Sequence, residues 1–432
     1  MPEPVTRKVL PNGLTVHLKE IHTAPIVSHW VWYRVGSRNE RPGQTGISHW
    51  VEHMQFKGTP QYPAGVMDKA ISRDGGFWNA MTSMDWTAYF ETMPADKIDL
   101  ALRLEADRML NSSYDPEEVA SERTVIISEL EGDENEPLFR LSEAVQAAAF
   151  DVHSYHHETI GSKEDLHRIQ RDDLYGHYRS AYNPQNAILA MAGDFDAKHM
   201  LAHIEELYAP IQGHAPRNGL FFPDAEPALG GERHVEVAGP GEAAFLQLAY
   251  RAPAGAHPDF LAFTIVDSLL TGPSGLSFMG GGGISNKTSR LYRALVEREL
   301  TVSVYGGLLA SIDPYLYDIT MTVHPRHTPD EILAVIDGEI KRLQDNLISP
   351  EEIRRASKQA RALFAYGTEN ITNQAFWLGY AEIFASYDWF LRYIEELEKV
   401  TPQDVQRIAQ TYLRPENRVV GFYRPTGEKE QA

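Results

Sequence analysis

Near residue 50, this chain of 432 residues reads His49-Trp50-Val51-Glu52-His53. If the segment is helical, the two histidines stand about one turn apart on the same face, so both imidazoles can reach one cation. Glu52 lies on the same side, close enough to contact a water bound to that cation. The pattern predicts a helix with two metal ligands and a catalytic base. The alternative, which so short a pattern leaves open, is two helix histidines beside a surface glutamate.

A third metal ligand is expected on a second helix, at residues 116–131, which begins with proline in its first turn. The residues that recur there at helical spacing are Glu122, Val125, Ile126 and Glu129. Two carboxylates thus share a face with apolar residues, and a carboxylate on a buried face needs a cation or a hydrogen-bond partner. Because a catalytic zinc usually has three protein ligands, we predict Glu129 as the third ligand. Glu122 is predicted to assist catalysis as a carboxylate that lies next to the metal ligands without binding the metal. The alternative is a helix that is merely rich in acidic residues.

Four further segments are informative together: residues 46–59, GISHWVEHMQFKGT; 75–89, GGFWNAMTSMDWTAY; 122–129, ERTVIISE; and 289–292, SRLY. Jointly they resemble the pitrilysin/insulinase family, which includes the mitochondrial processing peptidases. The first resembles the family's active-site helix, whose H-x-x-E-H order is the inverzincin signature, and the second its substrate-side strand. The third resembles an E-R-x-V-x-x-x-E helix whose last glutamate is a metal ligand. The resemblance covers most of the chain.

The resemblance implies a zinc-dependent endopeptidase (a zinc metallopeptidase). Zn²⁺ held by His49, His53 and Glu129 would make a reactive water available at neutral pH. Glu52 would take the proton of that water as general base and pass it to the departing amine. A hydrolase of a non-peptide substrate is a rival that no feature of the sequence favours.

Asn79 and Ala80 are the predicted substrate-binding residues. By the same resemblance, they begin a strand whose edge accepts a peptide as an additional strand. Such recognition reads the peptide backbone, so side-chain preference would come from separate pockets. The alternative for Asn79 is a turn asparagine.

The C-terminal half departs from the family pattern. Active members carry an arginine and a tyrosine, seven residues apart, just after the S-R-L-Y-like segment. Here Val296 and Val302 fall at those positions, and the segment is one residue short, while Arg298 and Tyr305 are out of register. Valine cannot donate a hydrogen bond, so we predict the zinc-bearing subunit of a heterodimer whose homologous partner supplies arginine and tyrosine. The alternative is a non-catalytic peptide-binding or assembly subunit of the same family.

The composition is that of a globular enzyme, with 43% apolar and 23% charged residues. No apolar run approaches the roughly 20 residues that span a bilayer, and a net charge of −20 argues against nucleic-acid binding. The absence of cysteine excludes disulfides and thiolate metal sites. We expect a cytoplasmic protein, or a periplasmic one if a signal peptide has been removed.

The chain also repeats itself, which predicts duplicated domains. The repeated motifs are PEEV at 116–119 with PEEI at 350–353, and YNPQN at 182–186 with YLRPEN at 412–417. We predict an α+β fold of two related domains, each a mainly antiparallel sheet packed with helices. The predicted limits are 1–212 for the N-terminal domain with the zinc site, 213–231 for a turn-rich linker, and 232–432 for the C-terminal domain.

Locally, residues 26–33 and 77–91 are each predicted as one strand and residues 95–110 as a helix. The segment 271–289, with glycines at 280–283, resembles the flexible glycine-rich loop of the non-catalytic processing-peptidase subunit; the alternative is a mobile linker. The cluster of His153, His156 and His157 has no carboxylate at ligand spacing, so it is predicted to be structural.

Overall fold

The computed structural model describes residues 5–212, 219–273 and 284–427, and these form two compact units. The first unit comprises the described parts of Met1–Leu130, His157–Asp224 and Thr368–Tyr387. The second comprises those of Glu131–His156, Ala225–Gly367 and Asp388–Ala432. Each unit contains one β-sheet with helices packed against it.

The first unit contains a six-stranded sheet. Its strands are β1 (Val5–Val9), β2 (Thr15–Glu20), β3 (Ile26–Tyr33), β4 (Phe77–Thr82), β5 (Thr87–Pro94) and β6 (Ala187–Gly193). They lie in the order β1-β2-β6-β3-β5-β4. Every neighbouring pair is antiparallel except β2 and β6, which are parallel. Within the described residues, β4 has no strand on its outer side.

The second unit contains a five-stranded sheet. Its strands are β7 (Arg233–Gly239), β8 (Phe245–Arg251), β9 (Thr301–Leu308), β10 (Leu316–Val323) and β11 (Arg418–Pro425). Their order β7-β11-β8-β10-β9, with β7 and β11 as the parallel pair, repeats the order β2-β6-β3-β5-β4 of the first sheet. The predicted fold class, two related α+β domains with mainly antiparallel sheets, is confirmed.

The helices complete both units. They are α1 (Ile47–Met54), α2 (Val66–Arg73), α3 (Ile98–Asn111), α4 (Pro116–Asp133), α5 (Pro137–Ala149), α6 (Lys163–Arg168), α7 (Arg171–Ala181), α8 (Ala197–Tyr208), α9 (Asp259–Leu270), α10 (Pro329–Asp345), α11 (Pro350–Tyr366), α12 (Ile371–Phe384), α13 (Tyr387–Leu397) and α14 (Pro402–Tyr412). Among the described residues, no helix has the length and apolar character needed to cross a membrane.

One helix of each half belongs to the unit built mainly from the other half, which the linear division at 1–212 and 232–432 did not anticipate. Helix α5 packs on β7, β8 and β11, where Leu141 and Val145 lie so close to Gly421 that a side chain there would clash. Helix α12 packs on β3 and β6, with Phe376 against Trp30. Between Asp224 and Ala225 the chain passes from the first unit to the second. That point lies inside the predicted linker, whose residues 213–218 are outside the described ones.

The local predictions hold in part. Strand β3 has the predicted limits and α3 occupies most of 95–110, but the single strand at 77–91 is wrong. Two strands, β4 and β5, form a hairpin there, because the Ser83 N–H donates to the Trp86 carbonyl at 2.8 Å and reverses the chain. The turn has no glycine or proline to mark it in the sequence. The glycines at 280–283 lie outside the described residues.

Candidate metal centre

Helix α1 turns its apolar side inward and its histidines toward one point. Trp50, Val51 and Met54 are fully buried, whereas His49 and His53 are half-buried. Since the histidines are four residues apart, their rings share a face, and their Nε2 atoms lie 3.2 Å apart. The chain thus forms the helix that the H-x-x-E-H pattern predicted.

Glu129 on α4 brings a carboxylate to the same point. Its Oε2 lies 3.9 Å from His49 Nε2 and 3.6 Å from His53 Nε2. A tetrahedral zinc with bonds of about 2.0–2.1 Å separates its ligand atoms by roughly 3.3–3.4 Å, close to these three separations. Within the described residues, this is the one group of histidine and acidic side chains that could hold a metal ion. Two imidazoles and one carboxylate are also a donor set of catalytic zinc sites.

The face of α4 that carries the glutamates is only partly covered, so the expectation of a wholly buried face was wrong. The side chain of Glu122 is buried and Ile126 is in the core, but the side chain of Glu129 is 45% exposed and Val125 is also exposed. A site that admits a substrate must stay open on one side. The proposed ligand therefore lies at the open side, while the carboxylate behind it is covered.

Glu122 contacts the His53 imidazole on the side away from Glu129. Its Oε1 lies 2.8 Å from His53 Nδ1, and its other oxygen contacts the ammonium of Lys57. Although burial opposes ionisation, the hydrogen bonds from His53 and Lys57 hold the pKa of Glu122 below its usual range. An anionic partner at Nδ1 fixes the ring so that Nε2 faces Glu129, which is how supporting carboxylates orient metal-binding histidines.

His49 is held mainly by packing. Its Nδ1 is buried and has no hydrogen-bond partner within the described part of the chain. Burial, together with the nearby charge of His53, lowers the pKa of His49 to about 4. The ring is therefore neutral at pH 7, which is the form that binds a metal.

Glu52 lies beside the ligands without joining them. It is buried, and the hydroxyl of Thr82 on β4 donates to its Oε2 at 2.7 Å. Burial raises the pKa of Glu52, although the Thr82 hydrogen bond opposes the shift. The sequence reasoning missed Thr82. The alternation of side chains along a strand could have pointed to it, because Thr82 stands two residues after Ala80 and therefore lies on the same face of the strand.

The predicted substrate-binding residues lie inside β4 rather than at its beginning. Asn79 is exposed and Ala80 is buried, and both form regular pairs with β5. Asn79 is thus a strand residue and not a turn residue. No strand of the described residues lies on the outer edge of β4, so this edge is open to addition of a strand. At Ala80 the backbone N–H donates to Asn79 Oδ1 at 2.9 Å.

The histidines after α5, which were predicted to be structural, have carboxylate partners from distant parts of the sequence. His153 Nε2 lies 3.1 Å from Asp313 Oδ2, and His157 Nε2 lies 2.9 Å from Glu40 Oε2. The third member, His156, has its Nδ1 3.1 Å from the His153 carbonyl. The sequence concealed these pairs because each joins residues more than a hundred positions apart.

The C-terminal positions that lack arginine and tyrosine lie at one edge of the second sheet. Val296 ends a short π-helix, Tyr292–Val296, and Val302 stands on the edge strand β9. Val302 is 60% exposed and Tyr305 is 64% exposed. The Val302 side chain itself supplies no hydrogen-bond donor.

Two sheets of the same order, and an H-x-x-E-H helix facing a glutamate from a second helix, define the inverted-zincin class of metallopeptidases. Comparison with known proteins agrees. The sequence model of Insulinase (Peptidase family M16) matches residues 15–163, and that of the Peptidase M16 inactive domain matches residues 168–360. The chain belongs to this insulinase family, M16, as the sequence motifs predicted.

Individual relatives match over nearly the full chain. An uncharacterized zinc protease of Mycobacterium leprae is 27% identical over 417 residues, which cover 95% of this chain and 89% of the relative. Zinc protease PqqE of Helicobacter pylori is 26% identical over 430 residues, 96% of this chain and 92% of the relative. The crystal structure of a protease from Helicobacter pylori has a TM-score of 0.90 at 24% identity, covering 98% of this chain and 100% of that one.

Proposed function

We propose that this chain is the zinc-bearing subunit of an endopeptidase that hydrolyses peptides or unfolded polypeptides. The observation that carries the proposal is the convergence of ligand atoms from His49, His53 and Glu129 beside the buried Glu52. Zinc held there would supply a Lewis acid that activates water and polarises the scissile carbonyl. The names of the relatives support the same chemistry.

Glu52 is the proposed general base. Its raised pKa makes it a better proton acceptor than an exposed glutamate, and burial keeps bulk water from competing for it. It would take the proton of the attacking water and later deliver it to the leaving amine. Thr82 would hold the carboxylate in place for both transfers through its hydrogen bond.

The peptide is proposed to bind along the free edge of β4, next to Asn79 and Ala80. Thr82, which contacts the proposed base, is on the same strand. A peptide added to this edge would have its backbone fixed by main-chain hydrogen bonds close to Glu52. The site would therefore accept extended chains of varied sequence and reject folded ones.

A partner subunit is proposed to supply the arginine and tyrosine that this chain lacks. Val296 and Val302 can neither bind a substrate carbonyl nor stabilise a developing negative charge. We expect weak cleavage by the chain alone and at least about tenfold more after addition of a homologous subunit with both residues. Equal activity with and without that subunit would refute the partner proposal and leave the zinc chemistry untouched.

The same two valines favour one alternative, a non-catalytic peptide-binding or assembly subunit. Cleavage of an unstructured fluorogenic peptide distinguishes the two functions. The enzyme proposal expects activity that a chelator abolishes, that zinc restores and that Glu52→Gln removes while zinc still binds. Peptide binding without cleavage, in the presence of zinc and the partner, would establish the alternative.

A further inference from the structure

The N-terminus of α1 is held by a carboxylate from outside the helix. Gly46 precedes the helix with φ of 87° and has no side chain to cap it. Glu40, whose side chain is fully buried, accepts hydrogen bonds from the Gly46 N–H at 2.9 Å and the Ser48 N–H at 2.8 Å. Glu40 thus satisfies amides that a short helix leaves unpaired at its start, and its negative charge lies at the positive end of the helix.

Glu40 is itself held by a histidine from a distant part of the sequence. His157 Nε2 lies 2.9 Å from Glu40 Oε2. Burial opposes ionisation of Glu40, but the hydrogen bond from His157 and those from the two amides keep its pKa below the usual range. His157 can therefore donate to a carboxylate that is ionised at pH 7.

The chain that follows His157 packs directly on the start of α1. The carbonyl of Ile160 lies only 2.4 Å from where a Cβ on Gly46 would be, so this contact requires glycine. Asp165 accepts a hydrogen bond from the Thr45 N–H at 3.1 Å and another from its hydroxyl at 2.7 Å. Position and direction of the helix are thus set at its first turn.

We propose that Glu40 and His157 are positioning residues for the metal centre, acting on His49, Glu52 and His53 through the first turn of α1. The inference rests on the proposed function. Helix α1 has only eight residues, and helices this short are not stable on their own. Both imidazoles and the base are side chains of this helix, so loss of the contacts that Glu40 and His157 provide would move all three together. Displacements of about 1 Å in such groups lower catalytic rates about a hundredfold.

The test uses matched substitutions in the full chain, with its partner where turnover is measured. His157→Gln keeps an N–H donor for Glu40, whereas His157→Leu has a side chain of similar size without a donor. Glu40→Gln keeps one acceptor and loses the charge. The control is Glu226→Gln in the second unit, because Glu226 also accepts hydrogen bonds from successive backbone N–H groups, at Asp151, Val152 and His153.

We expect zinc affinity, measured by chelator competition, to fall at least about tenfold in His157→Leu and Glu40→Gln, within the range known for groups that orient ligands. The visible spectrum of the cobalt-substituted protein should change, and kcat should fall more than KM rises. His157→Gln should restore most of the affinity and the spectrum. Glu226→Gln should lower only the thermal stability.

Folded His157→Leu and Glu40→Gln variants with zinc affinity and cobalt spectra equal to the parent's would overturn the inference. If the variants fail to fold, the test is hydrogen exchange of the Gly46 and Ser48 amides in the parent and in His157→Gln. Equal protection of these amides in both proteins would support the anchor. Free exchange of these amides in the parent would refute it. A parent that binds zinc but cleaves no peptide would refute the proposed function and leave the comparison of affinities intact.

Discussion

The first unit contains two clusters of histidine and glutamate whose environments differ. In the metal centre, three ligand atoms face a common point and one carboxylate is open to solvent. In the second cluster, His29 Nδ1 lies 2.9 Å from Glu91, and Arg108 contacts both Glu91, at 3.5 Å, and Glu105. All four of these side chains are at most 2% exposed. A buried guanidinium contacts both carboxylates there, whereas in the candidate metal centre that place is proposed for a cation from outside the chain.

The electrostatics of the sealed cluster follow from its burial. Burial lowers the pKa of His29 to about 4 and raises the pKa values of Glu91 and Glu105, with Arg108 opposing the rise. One guanidinium carries a single positive charge against two buried carboxyl groups, so their protonation is coupled. The same residue types therefore form a cluster with an internal counter-charge in one place and a candidate metal centre in the other.

Substitution of the proposed base should show the largest contrast between the clusters. Glu52→Gln removes the proton acceptor, so kcat should fall by about 10²–10⁴-fold while zinc affinity stays within about twofold. Glu91→Gln in the sealed cluster should keep turnover near that of the parent. Peptide cleavage and zinc titration of both variants make the comparison. Undiminished turnover in Glu52→Gln would remove Glu52 from the mechanism.

Removal of the internal cation should affect stability instead. Arg108→Leu leaves buried acids without a counter-charge, and breaking buried pairs costs about 3–5 kcal/mol. Glu129→Gln, on a side chain that is 45% exposed, should cost less than about 1 kcal/mol in metal-free protein. Urea unfolding of both variants without zinc measures the difference. Equal losses would show that the two clusters are not distinguished by burial.

The support behind the metal ligands should have an intermediate effect. Glu122→Gln weakens the anionic partner of His53, and such changes lower metal affinity about 10–100-fold. Glu118→Gln is the control on the same helix, because the Glu118 side chain is 42% exposed and its carboxylate lies 3.7 Å from the Lys57 ammonium, farther than that of Glu122. Chelator competition compares the two. If both variants bind zinc as tightly as the parent, Glu122 does not orient His53.

The smallest effect concerns pH. Burial raises the pKa of Glu91 in the folded protein above its ordinary value of 4.5. The contribution of protonated Glu91 to stability is therefore fully present below about pH 4.5 and is lost as the pH rises through the pKa of the folded protein. Glu91→Gln mimics the protonated form at every pH. The free energy of unfolding of the variant should therefore rise relative to that of the parent as the pH is raised from about 4.5 to 7. A constant difference across that range would mean that Glu91 is ionised throughout.

Residue spacing predicted the local parts of this site and missed the distant ones. The 3.6-residue period places His49 and His53 on one face and singles out Glu129, because these relations act within one helix. The partnership of Glu40 with His157 depends on packing between segments 117 residues apart, which no local pattern contains. Arg108 likewise reads as an ordinary surface charge on a helix until α3 is placed against the sheet.

The exchange of helices α5 and α12 has a similar origin. Each has an apolar face, and the sequence predicts that such a face is buried. It does not say against which sheet, since both sheets have the same order and offer similar apolar surfaces. The fold class was therefore predictable, whereas the division into units was not.

X-ray absorption at the zinc edge, with the chain loaded with one equivalent of zinc, shows whether His49, His53 and Glu129 bind the metal. We expect a first coordination shell of two imidazole nitrogens and light oxygen donors at about 2.0–2.1 Å. One imidazole should be lost in either His49→Ala or His53→Ala, and the oxygen shell should change in Glu129→Ala. A shell without imidazole, or one unaltered by these three substitutions, would contradict this expectation.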